Sequence, residues 1–79
     1  MDILKNQEFI SNRIYQLRIG KNLSARELSL ALGMSPSYIN KVENGIAMPS
    51  LFVLWKICHF FEITPEDFFS NIDEENPRN

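Results

Sequence analysis

Ser37, Asn40, Lys41 and Asn44 recur at offsets of zero, three, four and seven, the spacing that puts side chains on one face of an α-helix turning 100° per residue. Tyr38 falls on the flank of that face, and Ile39 and Val42 fall opposite it with Glu43 beside them. The outward side would carry hydroxyls, carboxamides and one cation, the groups that hydrogen-bond base edges and phosphate oxygens. Catalysis fits the chain poorly. The lone His59 and the lone Cys58 are adjacent, so on a helix they point about 100° apart and make no nucleophile and base pair. One His and one Cys cannot furnish a four-ligand zinc site. No glycine-rich phosphate loop is present, because Gly20, Gly33 and Gly45 each follow a helical stretch. The expectation is a protein that is not an enzyme, with no metal, cofactor or small-molecule ligand.

The elements that must position those residues run from Leu23 to Gly45. Ser24 reads as a helix N-cap, and Glu27 three residues later completes a capping box. Leu28 and Leu32, four apart, give that helix a buried stripe. Gly33 suits the left-handed position just past a helix end. Ser35 then reads as the next cap with Pro36 at the first helical position, so the second helix of the pair is expected over Ser35–Asn44. A connection this short, centred on glycine, sets two helices at a steep angle, which is a helix-turn-helix.

The 79 residues, 44% of them hydrophobic, leave room for one small domain and no second core. A single Cys58 excludes an internal disulfide and reads as a buried apolar filler, so stability must come from helix packing, supplemented by dimerisation. Between Met1 and Asn12 charged residues interrupt every apolar run, which argues against a signal peptide or membrane span and for a cytoplasmic protein. The formal net charge of −2 is unevenly spread. Residues 1–61 hold seven basic and four acidic side chains, whereas residues 62–79 hold six acidic ones against Arg78. This asymmetry permits a basic docking face with an acidic end pointing away from it.

A first helix is expected from near Asn6 to near Gly20, with Ile10, Ile14 and Leu17 as its core stripe. Ser50 caps a fourth helix. Thr64-Pro65-Glu66-Asp67 announces a last one: a cap, a proline at the first helical position and acids where the helix dipole favours them. From Asn71 the chain is polar and acidic and expected to fray. The domain is drawn over residues 1–71, with an acidic tail over 72–79.

The segments Leu-Ser-Ala-Arg-Glu-Leu-Ser, Gly33, Ser-Tyr-Ile-Asn-Lys-Val-Glu-Asn-Gly and Pro-Ser-Leu together resemble the lambda-repressor-like, or Cro and Xre, class of helix-turn-helix DNA-binding domains. The resemblance covers roughly Arg13 to Phe69. It implies an all-α, compact five-helix domain whose helices two and three form the helix-turn-helix. It also implies a sequence-specific double-stranded DNA-binding transcriptional regulator, a repressor, that inserts helix 35–44 in the major groove as a two-fold dimer on a palindrome with half-sites one turn apart.

By position, Ser37, Asn40 and Lys41 are the candidates for base edges. Ser35, Tyr38 and Asn44 are candidates for phosphate or groove-edge contacts, and the Ser24 region of helix two faces a phosphate. The family usually carries glutamine where this chain has Ala25, and Arg26 next to it is the substitute phosphate contact. Pro36 stands where some relatives read a base, which shifts specificity to its neighbours. An arginine matching Arg18 commonly pairs with the glutamate matching Glu43, which implies an ion pair, and the inward position of Glu43 on its helix supports it.

The family's inward positions in the fourth helix match Leu54, Cys58, Phe61 and Leu51. Phe52, Trp55, His59 and Phe60 are then surplus. Either they form the homodimer contact, or they complete the domain's own core against the first helix. The rival to DNA binding is a protein-binding adaptor, anti-repressor or antitoxin-like subunit built on the same fold.

Overall fold

Ser24, Ser50 and Thr64 each hold an extended backbone and turn a hydroxyl onto the amide three residues ahead: Glu27 N at 2.9 Å, Val53 N at 3.2 Å and Asp67 N at 3.0 Å. An orphan amide of the first helical turn is satisfied in each case. The helices are α1 (Ile3–Gly20), α2 (Ala25–Ala31), α3 (Tyr38–Glu43), α4 (Leu51–Phe61) and α5 (Pro65–Phe69). This computed structural model describes residues 3–70, with side chains from Asn6 onward, and no strand occurs among the described residues. The segment from Asn71, including the tail 72–79, lies outside them.

The helix ends share one device. Asn22, Gly33, Gly45 and Glu62 take left-handed conformations just past α1, α2, α3 and α4, with φ of 56°, 73°, 75° and 58°. Behind each, the following amide reaches back to a carbonyl five residues earlier, as Met34 N does to Ser29 O at 2.9 Å and Ile63 N to Cys58 O at 3.0 Å. Glycine takes this conformation without penalty, while asparagine and glutamate adopt it at a cost that the recovered carbonyl bonds offset. Gly20 is the last residue of α1, the expected end of that helix, and the left-handed position falls two residues on at Asn22.

All five helices supply the core. Ile14 of α1, Leu28 of α2, Ile39 and Val42 of α3, Ile57 of α4 and Phe68 of α5 are fully buried, joined by Leu32, Val53, Leu54, Cys58 and Phe61. Ile10 and Leu17 pack half-buried against this cluster. Each large apolar side chain removed from water contributes roughly 1.5–3 kcal/mol. Burial pushes the Cys58 thiol up, with the nearby Arg13 charge opposing it; a raised thiol is a poor nucleophile.

The expected five-helix architecture is the observed one, with three local corrections. First, α1 begins at Ile3 rather than near Asn6, since Leu4 and Lys5 are good helix formers with no breaker after them. Second, Ser35 does not cap α3. Residues Ser35–Ser37 form a turn closed by Tyr38 N to Ser35 O at 3.0 Å, and the regular helix begins at Tyr38. Proline favours this turn position as readily as a first helical one. Third, Leu51 is 63% exposed. The buried stripe of α4 is Val53, Leu54, Ile57, Cys58 and Phe61, a wide helical face in which Leu51, at the first position after the cap, has no neighbour to cover it.

Candidate nucleic-acid interface

The helix that carries Asn40 and Lys41 is only six residues long, too short to persist on intrinsic propensity. It is held from both ends and one side. At its start, the buried Ser29 hydroxyl accepts from Ile39 N at 2.9 Å while donating to Ala25 O at 2.8 Å, so α2 caps α3 through a side chain. At its end, Ser11 of α1 donates to Val42 O at 2.7 Å and Gln7 donates to Gly45 O at 2.9 Å. The Ser11 bond adds to the one that Val42 O accepts from Gly45 N at 3.1 Å, and the Gln7 bond holds the turn just past the helix.

The side clamp is Arg18. Its Nε donates to Glu43 Oε2 at 2.8 Å and its Nη2 to Glu43 Oε1 at 2.9 Å, while Nη1 donates to Leu23 O at 2.8 Å. The side chains of Arg18 and Glu43 are 14% and 7% exposed. The hydrogen bond that Arg18 donates to Glu43 raises the Arg18 pKa against the opposing effect of burial, which keeps the guanidinium charged at any working pH. A fork-to-fork pair of this kind fixes orientation as well as distance.

With Ile39 and Val42 fully buried beneath it, α3 presents Ser37, Asn40, Lys41 and Asn44 to solvent on one surface, with Ser35 exposed just ahead and Tyr38 half-buried on the flank. Burial pushes the Tyr38 phenol up, so it stays a neutral donor. Asn44 Nδ2 donates to Asn40 O at 2.8 Å and to Asn40 Oδ1 at 3.1 Å. Ser24 and Arg26 are exposed where α2 begins. Both polar groups of Ser24 serve the capping box, because its amide donates to Glu27 Oε1 at 2.8 Å as its hydroxyl accepts from Glu27 N.

The remaining sequence-derived candidates form a separate surface. Phe52 and Trp55 are 68% and 55% exposed, His59 is exposed and Phe60 half-buried. Together with Ala31, Leu32 and Lys56 they line an open groove of about 340 Å³ between α4 and the end of α2. Phe60 also packs edge-on against Phe61 at 5.0 Å, which gives it a share in the domain's own core.

Gln7, Ser11 and Ser29 were not singled out from sequence. Ser29 had a signal: a small hydroxyl beside Leu28 on the buried face of an amphipathic helix needs a partner. Ser11 and Gln7 had none, since their acceptors lie 31 and 38 residues away.

Residues 14–68 match the family model described as Helix-turn-helix, and the matched segment runs from Ile14, in the second half of α1, through Phe68 of α5, including every clamp on α3 except Gln7 and Ser11. The chain belongs to this helix-turn-helix family, of the Cro/Xre type. This is a class of DNA-binding transcription regulators, not of enzymes.

The chain is 35% identical over 66 residues to the HTH-type transcriptional regulator MJ0272 of Methanocaldococcus jannaschii, covering 84% of this chain and all of that one. It is 32% identical over 56 residues to the HTH-type transcriptional regulator YvzC of Bacillus subtilis, covering 71% and 73%. The crystal structure of the restriction-modification controller protein C.AhdI from Aeromonas hydrophila superimposes with a TM-score of 0.76 at 29% identity, covering 87% of this chain and 100% of that one. No helix among the described residues is long and apolar enough to cross a membrane.

Proposed function

We propose that the protein is a sequence-specific double-stranded DNA-binding repressor that acts as a homodimer, with α3 seated in the major groove. The observation that carries this reading is the division of α3: Ile39, Val42 and Glu43 are bound into the domain, while Ser37, Asn40 and Lys41 stand clear on a helix clamped at both ends. Rigid presentation of a short polar helix is what base readout in the major groove requires. In this reading Ser37, Asn40 and Lys41 face base edges, Ser35, Tyr38 and Arg26 lie beside phosphates with the Ser24 turn next to them, and Asn44 borders the groove.

The exposed pair Phe52 and Trp55, with His59 and Phe60, supports a two-fold contact through α4. An apolar patch of this kind on so small a domain calls for cover. The domain measures about 31 × 25 × 23 Å, a size that lets two adjoining copies set their α3 helices the roughly 34–36 Å apart that successive major-groove faces require. Repression follows sterically wherever such a dimer occupies a promoter. The same aromatic surface is what favours the second reading, a protein-binding adaptor.

Selection of bound duplexes from a random-sequence pool at about 150 mM salt, where non-specific attraction is screened, separates the two. The expected product is an inverted repeat with half-sites one helical turn apart. A pool that stays random overturns the DNA reading in favour of the adaptor.

A further inference from the structure

Asn44 has no side-chain donor to spare. A carboxamide carries two N–H donors and one acceptor oxygen, and Asn44 Nδ2 is committed to Asn40 O at 2.8 Å and Asn40 Oδ1 at 3.1 Å. Its backbone amide is committed as well, to Asn40 O at 3.0 Å. What Asn44 offers outward is its acceptor oxygen, and an acceptor turned to a phosphate oxygen is repelled by it. The other half of the pair is ordered by the same bonds. Asn40 Oδ1 is held toward Asn44, and flipping the Asn40 amide would set NH2 against NH2. Asn40 therefore presents a fixed oxygen and a fixed Nδ2 that makes no hydrogen bond among the described residues.

We propose that Asn44 is a positioning residue that fixes the Asn40 carboxamide to read adenine, and that it is not a phosphate ligand. The proposal rests on the reading of α3 as the recognition helix. The major-groove edge of adenine pairs an N6 donor with an N7 acceptor, which matches an ordered oxygen and NH2 in two-point fashion. Guanine shows two acceptors, O6 and N7, so the fixed Oδ1 of Asn40 meets an acceptor there. An unheld asparagine could flip to set its NH2 against guanine O6; one held by Asn44 keeps its oxygen there.

The test uses the full chain on the duplex obtained by selection and on its single-base variants, with affinities measured across a salt series. For the natural protein we expect adenine to be preferred over guanine at one position of each half-site by on the order of tenfold or more. Asn40→Ala should abolish that preference. Asn44→Ala should reduce it to the level of Asn40→Ala, the double variant should lose no more, and the slope of affinity against salt should stay unchanged. Asn44→Asp removes both donors without changing size; its base preference at fixed salt should fall in the same way, since overall charge repulsion cancels in the ratio. Circular dichroism confirms that each variant folds.

A loss of affinity in Asn44→Ala that is equal on every single-base variant, with the adenine preference intact, would make Asn44 a phosphate ligand and overturn the proposal. So would a preference and slope both left at the natural values. An enriched motif with no position that depends on Asn40 overturns this proposal alone, whereas no enriched motif overturns the DNA reading together with it.

Discussion

Arg18 and Glu43 meet in a two-point pair, Nε to Oε2 at 2.8 Å and Nη2 to Oε1 at 2.9 Å, that joins the end of α1 to the end of α3. With 14% and 7% of the two side chains exposed, neither charge can recover full hydration if the other is removed. Glu43→Ala should therefore lower unfolding free energy by about 3 kcal/mol, the low end for breaking a buried pair because Arg18 keeps an edge in water and a bond to Leu23 O. Arg18→Met combined with Glu43→Met removes both charges and should be less destabilised than either single change. Urea unfolding of Arg18→Met, Glu43→Met and the double variant checks this; strictly additive losses would mean that the two charges are not coupled.

Ser29 is the hydroxyl through which α2 caps α3. Ser29→Ala leaves the buried Ile39 amide without its acceptor and should cost about 1–3 kcal/mol. Amide exchange at Ile39 should accelerate more than exchange in α1 and α4. A uniform acceleration would place the loss in global stability instead.

Lys41 stands exposed beside Asn40 on the outward face of α3. Lys41→Ala should weaken operator binding by about 1–3 kcal/mol, with the loss concentrated at one base position. If single-base operator variants all lose equally and the salt slope drops by about one, Lys41 contacts a phosphate.

Trp55 is 55% exposed on α4, so Trp55→Ala should change monomer stability by no more than about 0.5 kcal/mol and, under the proposed two-fold contact through α4, shift the dimer toward monomer. Sedimentation and chemical unfolding, run side by side, separate the outcomes. An unchanged mass with a large stability loss would assign Trp55 to the core.

The Ser24 amide, and to a lesser degree its hydroxyl, hold the Glu27 carboxyl below its ordinary value of 4.5. A carboxylate favoured in the folded state contributes stability above its unfolded pKa and loses it as pH falls through the lowered folded value. The thermal midpoint should therefore fall on the acid side of the ordinary glutamate range. Glu27→Gln keeps an acceptor for the Ser24 amide but cannot titrate, so it should flatten that part of the acid limb. An identical acid slope in both proteins would show that other carboxylates carry it.

What the sequence determined by itself lies within one helical turn. Ser24 with Glu27, Ser50 with Val53, Thr64 with Asp67 and the left-handed Gly33 and Gly45 are i to i+3 or i to i+5 relationships, and local chain geometry brings such partners together whatever the rest of the molecule does. The division of α3 into an inner and an outer face followed from rotation alone.

Tertiary structure decided the rest. Ser35 lost its role as the cap of α3 because Ser29, ten residues away, delivered a hydroxyl to Ile39 N. Leu51 was left exposed and Val53 and Ile57 were buried because burial depends on which neighbouring helix lies over a face, and periodicity marks the face without naming the cover. Arg13 reaches Phe68 O at 2.9 Å and Asp67 O at 3.1 Å, more than fifty residues on, tying α1 to the negative end of α5's dipole. Contacts of that separation exist only once the chain has closed the intervening loop, so their partners are fixed by the packed fold and not by any local pattern.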